Sequence, residues 1–183
     1  MAYKIGSRIA IAATVIVLSI HNVSAHDPDV EAKLRDAKAC VECNLAGADL
    51  SNADLSGTDL TGAILRGANL NGANLSGATL TGAKMEGAQL EKANLSKARM
   101  KDVDLAGANL SYANFAGSDL EDADMSGTDS VYVDYTGANL KKTDMAGADV
   151  SFAKFVGADV TDAILDGVDL EGANFDGTIG FMP

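Results

Sequence analysis

From Leu45 to Phe175, every fifth residue is a side chain of a kind that can be buried, and the phase never slips. The row is leucine from Leu45 to Leu80, includes Met85, Met100, Phe115 and Met125, is broken only by the polar Ser130, and resumes at Tyr135. A second row, two residues earlier, is mostly alanine: Ala48, Ala53, Ala63, Ala68, Ala73, Ala78. On an α-helix five residues advance about 500°, so this row would wind around the cylinder instead of forming a stripe. On a strand an odd period sends successive leucines to opposite faces. The remaining solution is a chain that turns a corner once per repeat, always in one direction, with large and small rows both facing a common axis. That is a solenoid.

The number of sides follows from the exceptions to leucine. Bulky inward residues stack best on one another, and Phe115, Tyr135, Phe155 and Phe175 are twenty residues apart. Four repeats per coil keep these rings in one column, whereas three would scatter them. About seven coils at the strand-pairing distance of roughly 4.8 Å give a rod about 30 Å long.

Units such as Ala48-Asp49-Leu50-Ser51-Asn52, Ala68-Asn69-Leu70-Asn71-Gly72 and Ala108-Asn109-Leu110-Ser111-Tyr112 resemble the A(D/N)LxX unit of pentapeptide repeat proteins. The resemblance implies an all-β fold, a right-handed quadrilateral β-helix, assigned here to residues 43–178 with a tail at 179–183. About function it implies little, because proteins with this fold range from gyrase-protecting DNA mimics to exported proteins of unknown role.

The first 25 residues are of another kind. Lys4 and Arg8 precede an apolar run from Ile9 to Ile20, and Val23-Ser24-Ala25 is a small-residue cleavage site, the pattern of a secretory signal peptide. The run is short for a membrane span, so cleavage after Ala25 is expected, with export to a periplasm or comparable lumen and no stable span afterwards. Without Lys4 and Arg8, 12 cationic and 26 acidic side chains remain, a net charge of −14. So acidic a chain is not expected to bind nucleic acid through phosphates. Its charge serves solubility, or presents an acidic surface to a basic partner or to cations.

Asp27 to Ala39 reads as a short helix, with Asp27 as N-cap, Pro28 at its first position and Val30, Leu34 and Ala37 on one face. Residues 26–42 are thus expected to form a capping helix and junction covering the first coil. The far end offers only Ile179, Phe181, Met182 and Pro183 for closure, which makes end-to-end pairing of two copies an expectation to test.

Cys40 and Cys43 form a CxxC pair whose members both fall on the inward rows. Asn44 follows where haem attachment needs histidine, and no nearby Cys or His completes a zinc site. In an oxidising compartment a structural disulfide or two buried thiols is the expectation, against a catalytic dithiol that would need an accessible thiolate. His26 is the one histidine after the cleavage point and lies outside the repeats, so no Ser-His-Asp or Cys-His arrangement is expected. No pocket, catalytic set or cofactor is expected of an axis filled by side chains, so function belongs on the outside.

Three outward departures stand out. Tyr112, Tyr132 and Phe152 take the fifth position, usually glycine, at spacings of twenty, forming a column that is either a contact for a protein partner or carbohydrate, or a self-supporting stack. Asp102, Asp104, Asp122, Asp124 and Asp144 should lie close together, a weak calcium candidate unless Lys101, Lys141 and Lys142 neutralise them. Lys84, Lys92, Lys97, Arg99 and Lys101 form a basic band within an acidic rod. At Ser130 a local distortion is expected, with Val131 and Val133 compensating. The reading favoured is a non-enzymatic interaction or structural module of the cell envelope that presents its faces to a protein partner. The alternative is an acidic DNA mimic that binds a topoisomerase, which the charge favours and the export signal opposes.

Overall fold

The computed structural model describes residues 38–181. Every β-bridge is parallel and joins a residue to the one twenty positions on, from Ala39 with Asp59 to Asp159 with Ile179. Bridges recur every five residues, so the chain meets the next coil on four sides per turn. Ladder β1 stacks residues 39 to 179 in steps of twenty; β2 runs from 44 to 164, β3 from 49 to 169 and β4 from 54 to 174.

An account of the five N–H groups of one repeat explains its composition. Leu45 N–H donates to the Ile64 carbonyl at 2.7 Å, Gly47 to Arg66 at 2.9 Å, and Ile64 back to Cys43 at 2.8 Å, while Ala48 closes the corner onto the Leu45 carbonyl at 3.0 Å. The fifth N–H, on the residue after the leucine, receives no backbone acceptor. The side chain before the leucine supplies one: Asn44 Oδ1 accepts from Ala46, and Asp49 Oδ1 from Ser51, both at 3.1 Å. Asp or Asn before the leucine is thus favoured by the backbone, which gains a short acceptor side chain there, although Ile64, Lys84 and Arg99 show that the cap is not obligatory. The third residue of each corner has φ near +60°, which suits glycine, as at Gly47 (φ 66°).

Inside, the leucine and alanine rows are buried along the rod. Phe115, Tyr135, Phe155 and Phe175 stack in one column with ring centroids 5.4, 5.0 and 4.7 Å apart. Phe181 continues it at 3.9 Å from Phe175. Gly180 turns the chain over the last coil to reach that place; a Cβ there would lie 2.7 Å from the Thr161 backbone.

The expected boundaries of the repeats are corrected. The repeat register passes the boundaries 43 and 178, since Ala39 pairs with Asp59 and Ile179 with Asp159. The expected capping helix falls at residues 27–37 outside the described residues; Lys38 and Ala39 belong to the first coil, the Lys38 carbonyl accepting from Asp59 N–H at 3.0 Å. The described residues contain no helix, and hence none long and apolar enough to cross a membrane. At Ser130 the ladder keeps its register, the N–H donating to the Asp149 carbonyl at 2.8 Å, while the corner loosens, Val133 N–H reaching the Ser130 carbonyl only at 3.4 Å. Tyr135 Oη donates to Ser130 Oγ at 3.2 Å, Ser130 Oγ to Thr128 Oγ1 at 3.1 Å, and Thr128 Oγ1 to the Met125 carbonyl at 2.9 Å. Serine interrupts the leucine row because it receives the buried phenol of the next repeat, and Val133, in the alanine row, is buried beside it.

Candidate functional site

The corner between β3 and β4 carries the aromatic column. Tyr112 and Tyr132 stack at 5.2 Å with 8° between planes, and Tyr132 and Phe152 at 4.9 Å with 12°. The three side chains are 54, 48 and 43% exposed, so the column is half embedded and presents its edges to solvent. Two further members of this corner, one of them assigned from the sequence only to the basic band, were not connected with the column. Lys92 places its Nζ 5.8 Å from the Tyr112 centroid, closing one end of the stack with a cation. Gly172 closes the other, because a Cβ there would lie 2.6 Å from Phe152 Cδ1. Both stand in the same twenty-residue register as the rings, which is the signal that finds them.

This geometry limits the chemistry. Each ring face is covered by the next ring, by Lys92 or by Gly172, so a sugar has no open face to stack on; ring edges and the Tyr112 and Tyr132 hydroxyls are what the column offers. The position is also strained. Tyr112, Tyr132 and Phe152 have φ of 62°, 59° and 59°, where a side chain costs about 1–2 kcal/mol relative to glycine.

The acidic residues form columns but no site. Asp104, Asp124 and Asp144 are successive members of β2, while Asp102 and Asp122 belong to the adjoining corner. Among the described residues no group of three or more acidic, histidine or cysteine side chains can hold a metal ion, which overturns the calcium candidate Asp102, Asp104, Asp122, Asp124 and Asp144. The physical reason is the backbone requirement: Asp104, Asp124 and Asp144 each turn Oδ1 onto the N–H two residues on, at 3.1, 2.9 and 2.9 Å, instead of converging. Lys101 and Lys142 lie 3.2 and 3.9 Å from Asp122 carboxylate oxygens. Burial, followed by the neighbouring Glu86 and Asp124 carboxylates, pushes the Asp104 carboxyl up. Glu86 is held down by Arg66, whose Nη2 lies 2.6 Å from Oε1, while Glu86 Oε2 is enclosed without a hydrogen-bond donor.

The basic band encircles the rod and does not form a patch. Lys84 stands on β2, Arg99 on β1, Lys92 and Lys97 at two different corners, and Lys101 beside a third. Lys92 also pairs with Glu91 at 2.6 Å, and Arg99 donates to Thr79 Oγ1 at 2.6 Å. Past this band, residues 102–181 carry sixteen carboxylates against three lysines.

Cys40 and Cys43, both buried, are joined as a disulfide across the first corner, with Cα atoms 5.3 Å apart. His26 lies outside the described residues.

The family model of pentapeptide repeats matches the chain in successive copies between residues 30 and 179. Among solved structures the chain is similar to HetL, a pentapeptide repeat protein involved in heterocyst differentiation regulation from the cyanobacterium Nostoc sp. strain PCC 7120. The two share 30% identity over 78% of this chain and 74% of that one, with a TM-score of 0.33. QnrB1, a plasmid-mediated fluoroquinolone resistance protein, is 22% identical over 74% of this chain and 80% of its own, with a TM-score of 0.41. A pentapeptide repeat protein from the Arabidopsis thaliana thylakoid lumen is 26% identical over 62% of this chain and 65% of its own, with a TM-score of 0.21. No curated protein matches the sequence.

Proposed function

The chain belongs to the pentapeptide repeat family, whose members form right-handed quadrilateral β-helices and are generally structural or interaction modules, and we propose that it acts as a non-enzymatic protein-interaction module of the cell envelope. The observation that carries this reading is the aromatic corner. A packed rod offers partners only its surface, and three exposed rings occupy backbone positions that favour glycine. The stack repays part of the strain. A surface that holds rings in one array also supplies the rigid apolar anchors on which protein contacts depend.

Export, with cleavage after Ala25, is part of the proposal and rests on the Lys4/Arg8, apolar-run and Ala25 pattern. The DNA-mimic alternative draws on the excess of carboxylates in residues 102–181. Against it stands the use of aspartates such as Asp104, Asp124, Asp144 and Asp149 as caps for their own backbone.

The test is crosslinking in the native compartment followed by mass spectrometry, comparing the unaltered chain with Y112G/Y132G/F152G. A partner lost in the triple variant, together with a mature N-terminus at His26 in the exported fraction, is the expected result. An unprocessed cytoplasmic chain crosslinked to a topoisomerase would overturn it in favour of the mimic.

A further inference from the structure

Ladder β3, which flanks the aromatic corner, changes chemistry at its middle. After Asp49, its first member, come Asn69, Gln89 and Asn109, and then Asp129, Asp149 and Asp169, each bridged to the next. Asn109 Oδ1 accepts from Ser111 N–H, leaving Nδ2 without an acceptor among the described residues. Asp149 and Asp169 use Oδ1 for the N–H of Ser151 and Glu171, and their second oxygens have no donor among the described residues. The corner beside it has the same polarity: Lys92 at one end, three rings, and Phe152 flanked by acidic coils at the other.

A strip of this kind complements its own reverse. Two rods lying antiparallel along the corner are related by a two-fold axis perpendicular to the rod, which sets β3 of one copy against β3 of the other with coil order inverted. An axis midway between Tyr112 and Tyr132 brings Asn109 opposite Asp129 of the second copy, Gln89 opposite Asp149 and Asn69 opposite Asp169. Every amide lies opposite a carboxylate; Asn109 Nδ2 is wholly free to donate, whereas Asn69 and Gln89 already give one N–H within the chain, to Asp49 Oδ1 at 3.1 Å and the Gly87 carbonyl at 3.3 Å. The same operation places Lys92 opposite Phe152 and Asn71 opposite Glu171, and within these columns no rung sets two like charges together.

We propose that the aromatic corner and β3 form the interface of an antiparallel, side-to-side homodimer, its occupant being a second copy of this chain. This rests on the reading of the aromatic corner as a contact surface and names its partner.

Light scattering of the full chain over a concentration series, together with crosslinking, tests it. The expected mass is that of two chains, falling to one in Y112G/Y132G/F152G, whose glycines suit the backbone at those φ values. Register is read by mixing N69C with D169C and adding a short bismaleimide, the native cysteines being already joined. Crosslinking in the mixture but in neither variant alone is expected, because residue 69 of one copy lies about 24 Å along the rod from residue 69 of the other. A concentration-independent monomer, or N69C crosslinking to itself, overturns the antiparallel dimer while leaving the contact-surface reading standing. A dimer unaffected by the triple variant removes both.

Discussion

The Tyr135–Ser130–Thr128 chain makes a prediction that can be worked in numbers. Three buried hydroxyls donate in sequence and the last reaches the Met125 carbonyl, so every donor is satisfied in a site from which water is excluded. Tyr135→Phe removes the first donor and leaves Ser130 still donating to Thr128; its cost is about 1 kcal/mol, that of one net hydrogen bond. Ser130→Ala, nearly the same volume, strands the Tyr135 phenol without an acceptor, and an unsatisfied buried hydroxyl costs about 1–3 kcal/mol. The double variant strands nothing, because Thr128 keeps its carbonyl. Its cost should therefore fall short of the sum of the singles by about 1 kcal/mol or more, as contacting residues couple. Urea unfolding of the four proteins measures this, and additivity within about 0.5 kcal/mol would refute the buried chain. Alkaline titration gives an independent check. Burial pushes the Tyr135 phenol well above its ordinary value of 10.0. A raised pKa favours the protonated form when folded, so its stabilising effect is whole below the unfolded value and is lost as pH rises past about 10, a loss Tyr135→Phe should reduce.

The strained corner predicts that Tyr132→Gly is less destabilising than Tyr132→Ala, since both lose two stacking contacts but only glycine relieves φ of 59°; the gap should be about 1 kcal/mol in denaturant melts, and equal costs would remove the strain argument. Gly172→Ala and Gly167→Ala share a positive φ, yet only the first meets Phe152, so the first should cost more by thermal melting and shift Phe152 off Tyr132 in a crystal structure. Asp104→Asn should stabilise at neutral pH, where the ionised carboxylate is penalised by burial and by Glu86, and its amide can donate to Glu86 Oε2. A raised folded pKa means the carboxyl's contribution is favourable below the unfolded value and is lost as pH rises through the folded one, so the benefit of Asn should vanish towards pH 3; a pH-independent benefit would contradict the carboxyl pairing.

The period of five and the twenty-residue aromatic spacing made the coil legible, because burial and stacking each leave a periodic mark in sequence. What could not be read was the role of the aspartates. Asp104 and Asp124 look like surface charge until the N–H groups of Ala106 and Ser126 are found to lack any other acceptor, and that account needs the path of the backbone. Hence the columns were expected to gather a cation when one oxygen of each, Oδ1, was already turned onto the backbone. The role of Ser130 was hidden for a related reason: the loosened corner was expected, but its partner, Tyr135, lies five residues on across that corner. The aromatic corner was visible as a column, but its ends, Lys92 and Gly172, required the rings' faces and edges to be told apart.

The same accounting shows where a chain of this kind has freedom to vary. Of the five residues in a repeat, the leucine and alanine positions are committed to the core, and the one before the leucine caps an N–H wherever it is Asp49, Asn69, Asp104 or a similar short acceptor. The third residue of the corner is committed to positive φ, which leaves the residue after the leucine, and in several repeats the one before it, free to vary. A large side chain at the strained corner position is therefore informative in a way that an aspartate before a leucine is not. Lys97, Asp102, Asp122, Lys142 and Asp162 carry such strain singly or in mixed-charge columns, whereas Tyr112, Tyr132 and Phe152 carry it in three successive coils with one chemistry. That concentration is the strongest reason to seek this protein's contacts at the β3–β4 corner.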